Sequence, residues 1–302
     1  HDAAEIYNNT VEVVKRLVEE SGIDKDKVVG IGISNQRETS LAWDRFTGEP
    51  LGHAIVWQCA RATDICERVE KKGEAENIRR KTGINLSPYF PASKIAWILE
   101  NVEGAKEKAD KKEICHGTVD SWLVYRLTGW KSYKTDYSNA SRTQLFNIFD
   151  LKWDEEICKV FGIDAADLPE VKDSNACFGY TDCEGLFAKP VPIHAVMGDS
   201  HAALFGQNCR SDGKTKVTYG TGSSIMMNIG YKPLLSSNGL VTSLAWGMDG
   251  RPEYVLEGNL NYTGAVISWL KDDVKLIENA SETEALADEA NKEDGLYLIP
   301  AF

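Results

Sequence analysis

The sequence predicts an α/β protein made of two domains. Segments with strand-like patterns alternate with segments of helical period in both halves of the chain, as expected for this class. The chain has 302 residues, enough for two domains of roughly 150 residues each. The pattern changes near Gln207, which places one domain at 1–207 and the other at 208–302.

The first domain begins with a helix and is rich in helices. Apolar residues at helical spacing predict a helix from Ala3 to about Ser21, which Gly22 would end. An apolar run predicts a buried strand at 28–33. The remaining predicted strands are 39–43, 53–56 and 190–197, and the remaining predicted helices are 60–71, 75–82, 92–101, 119–127 and one beginning at 202–206.

The second domain opens with strands. Two of them, 216–219 and 225–229, flank a loop of small residues at 220–224. Further strands are predicted at 241–246 and 254–257, and a helix follows at 264–270.

Composition and charge exclude several classes of function. The chain is 42% hydrophobic and 26% charged, and its net charge is −12, which disfavours nucleic acid and anionic membranes as partners. No apolar run approaches the roughly 20 residues that cross a bilayer, and the first residues lack a signal-peptide pattern. Seven cysteines without a C-x-x-C pair indicate reduced thiols. We therefore expect a cytoplasmic protein without a nucleic-acid or membrane partner.

The common catalytic motifs are absent from the sequence. There is no G-x-x-x-x-G-K-[ST] loop, and Gly30-Ile31-Gly32 lacks the third glycine of a dinucleotide fingerprint. The five histidines show no metal-ligand spacing, and no G-x-S-x-G elbow is present. These absences count against hydrolase, dehydrogenase and metalloenzyme interpretations.

Arg37 and Glu38 form the first candidate site, directly after a predicted strand. Adjacent residues of an extended chain point to opposite faces, so the loop must bend for both to face one ligand. Together they offer a donor and an acceptor, which suits neighbouring hydroxyl groups. The alternative interpretation is a surface ion pair at the end of a strand.

Asp199 forms the second candidate site, where a predicted strand passes into a helix. This is the usual edge for ligands in open α/β sheets, and a carboxylate there can accept a hydroxyl proton or hold Mg²⁺ through water. As a helix N-cap, Asp199 would need no function.

The loop 220–224 forms the third candidate site. Its sequence, Gly-Thr-Gly-Ser-Ser, consists of small residues whose backbone N–H groups can cradle a phosphate. The alternative interpretation is a plain hairpin turn.

Longer runs of sequence resemble the FGGY carbohydrate kinases. Residues 89–101, YFPASKIAWILEN, fit the first signature of that family at every constrained position. The resemblance extends along nearly the whole chain and is strongest to members that phosphorylate glycerol. The other runs that carry it are 34–39, 55–59, 117–120, 139–143 and 202–206.

The resemblance implies a fold and a reaction. The fold would have two ribonuclease H-like domains, as in actin and hexokinase, with the site in the cleft between them. The reaction would transfer the γ-phosphoryl group of MgATP to a polyol, most closely glycerol to give glycerol 3-phosphate. Other polyols or ketoses such as erythritol or xylulose, and a non-catalytic polyol-binding pseudokinase, are the alternatives. Family members often form homo-oligomers.

The resemblance also implies roles for individual residues. Asp199 would be the general base and would lie near Mg²⁺. Arg37 and Glu38 would bind the polyol hydroxyls, Tyr89 would add a hydrogen bond, and Trp57 would form an apolar wall. On the nucleotide side, the matching positions are Thr221, Gly222, Gly264 and Ser268.

Four positions depart from the usual glycerol-phosphorylating pattern. Ser200, Ser224 and Asn261 stand where larger or less polar residues usually line the polyol pocket, and Ser268 replaces a nucleotide-side glutamine. Three of these changes would leave the pocket wider and more polar. The hypothesis that follows is that the pocket accepts glycerol and also suits a longer polyol.

The ends of the chain also depart from the family pattern. The family's N-terminal phosphate hairpin would precede His1, and its adenosine-binding segment would follow Phe302. We therefore expect a central fragment in which both domains are incomplete. We also expect that these residues alone lack appreciable kinase activity.

Overall fold

The computed structural model describes residues 1–260, 262–293 and 295–299. The helices are α1 Ala3–Ser21, α2 Thr63–Lys71, α3 Ala75–Thr82, α4 Pro91–Asn101, α5 Ala105–Asp110, α6 Val119–Leu127, α7 Tyr137–Ala140, α8 Glu155–Val160, α9 Asp199–Gly206, α10 Gly264–Asp272 and α11 Glu282–Glu289. The strands are β1 Ile31–Asn35, β2 Ser40–Asp44, β3 Ile114–Thr118, β4 Lys134–Asp136, β5 Phe146–Asn147, β6 Lys152–Trp153, β7 Glu170–Lys172, β8 Gly179–Thr181, β9 Val191–Gly198, β10 Thr215–Tyr219, β11 Ser223–Asn228, β12 Val241–Met248 and β13 Arg251–Leu260. The mixture of helices and strands confirms the predicted α/β class.

A small parallel pairing in the first half of the chain positions the candidate site. Strand β1 runs parallel to β9, and β8 pairs with the other edge of β9 in the antiparallel sense. The last residue of β1, Asn35, lies opposite the last residue of β9, Gly198. Because both strands end at the same edge, the residues that follow them, 36–38 and Asp199, lie side by side.

The second half of the chain is built on one antiparallel sheet. Its strands have the order β10-β11-β13-β12. Strand β12 packs against the first half: Leu244 N–H donates to Ser141 Oγ at 3.0 Å, and Thr242 N–H donates to the Gly83 carbonyl at 3.0 Å. Gly83 has a φ of +76°, and a Cβ there would lie 2.3 Å from the Thr242 carbonyl oxygen, so this contact requires glycine.

The first helix shows why local sequence predicts an element well. The Asp2 carboxylate accepts hydrogen bonds from the N–H groups of Ala4 and Glu5 at the start of α1, and Gly22 ends it with a φ of +63°. Its buried residues, Ala3, Tyr7 and Val11, recur at helical spacing. The predicted bounds are therefore confirmed at both ends.

Two predicted strands differ from the structure. The segment 53–56 forms only an isolated bridge, between Ile55 and Ser40. The buried strand predicted at 28–33 is instead β1, and its pattern is half-buried to exposed, with Val29 87% exposed just before it. The reason is that β1 pairs only with β9 in the described residues, so one edge of it has no neighbouring strand there.

Helix α9 begins at Asp199, three residues earlier than predicted, and the next element, β10, begins at Thr215. The domain boundary at Gln207 stays a prediction. Across the described ranges, no helix combines the length and apolarity that a membrane crossing requires.

Candidate active site

The Asp199 carboxylate lies at the edge where β1 and β9 end. Asp199 is the first residue of α9 and follows Gly198, which occupies the N-cap position, so the alternative of Asp199 as the N-cap is wrong. Its side chain is 55% exposed, and Oδ1 accepts a hydrogen bond from Ser200 N–H at 2.6 Å. An accessible carboxylate at this edge can accept a proton from a bound hydroxyl group.

Arg37 and Glu38 lie beside Asp199 on the bend that follows β1. Arg37 is 5% exposed and Glu38 2% exposed, so the alternative of a surface ion pair is wrong. Arg37 Nε lies 3.6 Å from both Glu38 Oε1 and Asp199 Oδ1. The bend turns the two side chains toward one point, as the sequence analysis required.

Two further charged residues complete a closed arrangement with this pair. Arg37 donates to Glu257 at 3.0 and 3.1 Å in a bidentate pair, and Arg142 Nε donates to Glu38 Oε1 at 2.7 Å. Arg142 Nη1 lies 2.8 Å from Glu257 Oε2, at an angle that makes it an ion pair without a hydrogen bond. We call Arg37, Glu38, Arg142 and Glu257 the charge ring. All four are buried, and their charges sum to zero.

Mutual attraction keeps Arg37 and Glu257 ionised despite burial. Burial raises the pKa of Glu257, but the Arg142 and Arg37 guanidinium groups outweigh it and hold that pKa far below its usual value. Burial lowers the pKa of Arg37, but Glu257 and Glu38 raise it above its usual value. The Arg37–Glu257 pair is therefore held in its ionised form.

Three buried donors of the charge ring have no hydrogen-bond partner among the described residues: Arg37 Nε, Arg142 Nη1 and Arg142 Nη2; of these, Arg37 Nε is the one that lies beside Asp199. Arg37 Nε is buried and has no hydrogen-bond partner within the part of the chain that the structure describes. Buried donors in native proteins are normally paired, so this atom indicates a place for a bound acceptor. It lies between the carboxylates of Glu38 and Asp199, where a polyol oxygen would meet all three groups.

Two aromatic side chains, Trp57 and Tyr89, pack against each other near the charge ring. Trp57 and Tyr89 meet edge to face at 5.6 Å, and Trp57 is 38% exposed. Lys94 Nζ donates to the carbonyls of Glu38, at 3.1 Å, and Tyr89, which ties the two segments together. Burial, with a contribution from Glu38, raises the pKa of Tyr89 to about 12, so its phenol stays a hydrogen-bond donor. The roles expected of Trp57 and Tyr89 toward a polyol stay predictions.

One of the serines at departing positions contacts the charge ring, and another follows Asp199 in sequence. Ser224 Oγ donates to Glu257 Oε1 at 3.2 Å, so Ser224 touches the charge ring directly. Ser200 follows Asp199 and is half-buried. Asn261 lies outside the described residues.

Three of the four predicted nucleotide-side residues meet at one cavity. It has a volume of about 640 Å³, and Thr221, Gly264 and Ser268 line it, together with Tyr262, Ala265, Trp269, Asp272 and Asp273. Gly222 does not line it; its carbonyl accepts from Gly220 N–H at 3.0 Å in the turn between β10 and β11. The loop 220–224 is thus a hairpin turn, as the alternative had it, and it also borders a cavity.

Gly264 is required by the close approach of this turn. Its N–H donates to the Gly220 carbonyl at 2.9 Å, and a Cβ at Gly264 would lie 2.6 Å from that same oxygen. The glycine thus lets α10 begin directly against the turn.

Asp199 offers a limited donor set for a metal ion. Across the described ranges, no group of three or more His, Cys, Asp or Glu residues is arranged to hold one. Mg²⁺ in phosphoryl-transfer sites is bound by one or two carboxylates, water and substrate phosphates, so a single half-exposed carboxylate fits it. Asp199 Oδ1 accepts from Ser200 N–H, and a carboxylate has further acceptor sites for a bound water.

Sequence reasoning assigned no role to Glu257 or Arg142. Arg142 lies in the run 139–143, which carried part of the family resemblance, and Glu257 ends the predicted strand 254–257. The sequence signal for Glu257 was a charged residue at the end of an apolar strand pattern. That signal indicates an unusual position but does not identify the residue with which Glu257 pairs.

Comparisons with known proteins agree on one family. The model of the FGGY family of carbohydrate kinases, N-terminal domain, matches residues 1–206, and that of its C-terminal domain matches 215–302. A glycerol kinase of Carboxydothermus hydrogenoformans is 49% identical over the whole chain, which covers 60% of that protein. A glycerol kinase of Bacillus subtilis is 45% identical, also over the whole chain, which covers 61% of it. The chain therefore spans about 60% of the length of the curated relatives it matches.

Solved structures support the same fold. The glycerol kinase of Plasmodium falciparum with ADP superposes with a TM-score of 0.89 at 35% identity, over 96% of this chain and 58% of that one. A ligand-bound xylulose kinase of Lactobacillus acidophilus gives a TM-score of 0.82 at 23% identity, over 96% of this chain and 57% of that one. At that identity, the second comparison shows the fold alone.

Proposed function

The chain belongs to the FGGY family of carbohydrate kinases, and on that premise we propose that the protein transfers the γ-phosphoryl group of ATP to glycerol, giving glycerol 3-phosphate. The observation that carries the proposal is the half-exposed Asp199 carboxylate beside the unpartnered Nε of Arg37. The glycerol kinases to which the chain is 45–49% identical support this choice of substrate.

The charge ring, Trp57 and Tyr89 would bind the polyol. Arg37 Nε would donate to one hydroxyl oxygen, Glu38 would accept from a hydroxyl group, and Tyr89 would add a further hydrogen bond. Trp57 would cover the carbon chain. Because Arg37 and Glu38 are buried and held by neighbours, a ligand that lacks a hydroxyl group would leave a buried donor or acceptor without a hydrogen bond, which is a strong source of specificity.

Asp199 would act as the general base. The attacking hydroxyl oxygen forms a bond to the γ-phosphorus, the bond from that phosphorus to the β–γ bridging oxygen breaks, and the hydroxyl proton passes to the Asp199 carboxylate. Such reactions depend mostly on positioning and charge neutralisation. A well-placed base contributes roughly 10²- to 10⁴-fold.

The nucleotide would lie on the other side of Asp199. Thr221, Gly222, Gly264 and Ser268 would contact it, and Asp199 would hold Mg²⁺ through water. When bound, Mg²⁺ supplies positive charge that neutralises the phosphates. Assembly into homo-oligomers stays a prediction.

A longer polyol is the second candidate substrate. The observation that favours it is Ser224, whose hydroxyl borders the charge ring and gives that wall a polar character. The hypothesis that the small residues at positions 200, 224 and 261 widen the pocket stays a prediction.

Asp199→Asn tests the function in the full product of the gene that encodes this chain. ADP release would be measured with glycerol, erythritol, xylitol, dihydroxyacetone and D-xylulose. We expect glycerol-dependent turnover, at least roughly a hundredfold slower in Asp199→Asn, with little change in the KM for glycerol. Asp182→Asn, at an exposed carboxylate outside the site, is the matched control.

Each other outcome has a defined meaning. A near-normal rate in Asp199→Asn would overturn the base assignment. Preference for a larger polyol would retain the chemistry and reassign the substrate. Turnover with none of the five substrates would contradict the proposed function and favour the non-catalytic polyol-binding alternative.

A further inference from the structure

A second network of buried polar groups lies behind the candidate site and does not touch the ligand position. Its centre is Asp136, a fully buried carboxylate at the end of β4. Oδ1 accepts from Ser138 Oγ and from both the backbone and side-chain nitrogens of Asn139, at 2.9–3.0 Å. Oδ2 accepts from Ser138 N–H at 3.0 Å and from Ser174 Oγ at 2.6 Å. Five donors thus converge on one carboxylate.

One arm of the network reaches the end of β9. Ser138 Oγ donates to Asp136 and accepts a hydrogen bond from Gly198 N–H at 2.9 Å. Gly198 immediately precedes Asp199, so this bond fixes the backbone from which the proposed base projects.

A second arm reaches the end of β1. Asn139 and Asn35 exchange two side-chain hydrogen bonds, at 2.9 and 3.2 Å, and both residues are buried. Asn35 is the last residue of β1, two residues before Arg37. This arm therefore fixes the strand from which the polyol-binding bend departs.

A third arm reaches the sheet of the second half. Ser174 donates its hydroxyl to Asp136, its N–H donates to the Gly247 carbonyl at 2.7 Å, and Gly247 N–H returns to Ser174 Oγ at 3.3 Å. Gly247 belongs to β12. Asp136 thus joins three elements that are distant in sequence.

Helix capping alone does not explain this arrangement. Asp136 is the N-cap of α7 and accepts from the N–H groups of Ser138 and Asn139, as an N-cap does. A cap needs only those backbone donors. Here the side chains of Ser138 and Asn139 also donate hydrogen bonds to Asp136. The same side chains hydrogen-bond to Gly198 N–H and to the Asn35 side chain.

We propose that Asp136 is a positioning residue and that two of its three arms act separately on the site, Ser138 on the base Asp199 and Asn139 on the polyol-binding pair Arg37 and Glu38. The proposal rests on the proposed function, because it uses that function's roles for the three site residues. Each arm ends at a different strand, so each should affect a different kinetic constant.

The test is a split between kcat and KM in single variants of the full gene product. Ser138→Ala removes the acceptor of Gly198 N–H, and we expect kcat to fall by about tenfold or more with the KM for glycerol nearly unchanged. Asn139→Ala removes both side-chain hydrogen bonds to Asn35. We expect the KM for glycerol to rise by about tenfold, with a smaller change in kcat. Asp136→Asn should change both constants.

Ser121→Ala is the matched control. Ser121 is also fully buried and also donates its hydroxyl, to the Thr118 carbonyl at 2.8 Å, but that bond is local to the start of α6. We expect kcat and KM close to those of the unchanged protein. If Ser138→Ala behaves like Ser121→Ala, or if Ser138→Ala and Asn139→Ala change both constants in equal proportion, the proposal is overturned.

Amide hydrogen exchange provides a readout that does not depend on activity. We expect faster exchange at Gly198 in Ser138→Ala and in Asp136→Asn, and unchanged exchange there in Ser121→Ala. An unchanged protein without kinase activity would contradict the proposed function, and the exchange of Gly198 would still test the positioning arm. Uniformly faster exchange along the chain in Ser138→Ala would show a general loss of stability and overturn the proposal.

Discussion

The two sides of the candidate site are built in contrasting ways. The proposed polyol side consists of the buried charge ring, which holds each charged side chain against an opposite charge. The proposed nucleotide side consists of an exposed turn, a glycine contact and a hydroxyl group around a cavity of about 640 Å³. Charged side chains therefore form the polyol side, and backbone geometry forms the nucleotide side.

The contrast indicates which kind of selectivity each side can supply. Buried polar groups in fixed positions reject a ligand that lacks a matching hydroxyl group, because a buried donor or acceptor left without a hydrogen bond is costly. The backbone N–H groups of a turn with small residues can bind a phosphate closely, but they do not distinguish which molecule carries the phosphate. We therefore expect substrate discrimination on the polyol side and general phosphate positioning on the nucleotide side.

Glu257→Gln is expected to have the largest effect. It removes the anion shared by Arg37 and Arg142 and leaves both guanidinium groups buried beside Glu38 alone. Breaking one partner of a buried pair typically costs about 3–5 kcal/mol, so we expect the free energy of unfolding to fall by that amount and glycerol binding to be lost. Urea denaturation and calorimetric titration measure the two effects.

The control for this variant is Glu253→Gln on the same strand. Glu253 accepts a hydrogen bond from Asn228 Nδ2 at 2.8 Å, which a glutamine carbonyl can also accept. A loss of stability as small in Glu257→Gln as in the control would mean that the charge ring does not stabilise the polyol side.

Asp120→Asn is expected to have the next largest effect, and it depends on pH. Asp120 is fully buried, and burial, with a contribution from Asp136, raises its pKa from 3.8 to about 6. The folded state therefore holds this proton more tightly than the unfolded state does. The contribution of Asp120 to the stability of the unchanged chain should therefore fall as the pH rises from about 4 to above 6, by up to about 3 kcal/mol. The buried His116, whose pKa burial lowers to about 3, contributes stability that rises over the same range, so the quantity to measure is the difference between Asp120→Asn and the unchanged chain.

The variant should lack that loss of stability. The hydroxyl groups of Thr118 and Thr135, which donate to Asp120 at 2.6 Å, can rotate to pair with an amide. Urea denaturation should show that the free energy of unfolding of Asp120→Asn, relative to that of the unchanged chain, is higher at pH 7 than at pH 4. A difference that does not vary with pH would contradict this prediction.

Gly264→Ala is expected to have the smallest effect, confined to the nucleotide side. The added Cβ would lie 2.6 Å from the Gly220 carbonyl oxygen and push the turn away from α10. Overpacking of this kind costs about 1–3 kcal/mol, so we expect the KM for ATP to rise by about tenfold and the KM for glycerol to stay unchanged.

Gly206→Ala is the control for the glycine substitution, because a Cβ there would meet no atom within 4 Å. Equal changes in the constants for ATP and glycerol in Gly264→Ala would show that the two sides of the cleft do not act separately.

Local physical chemistry in the sequence was enough for much of the fold. Helix α1 was predicted at both ends because its apolar spacing, its Asp2 cap and its Gly22 stop lie within a few residues of one another. Strand β1 was placed less well, because its burial depends on which strands pair with it, and that is set by distant parts of the chain.

The candidate site divides in the same way. The sequence by itself determined the α/β class, most helices and the candidate residues Arg37, Glu38 and Asp199. Only the tertiary structure decided that Arg37 is held by Glu257, 220 residues away, and Glu38 by Arg142, 104 residues away. The physical reason is that helix formation depends on neighbours within a turn, whereas a buried charge is stable only beside a partner that folding brings to it.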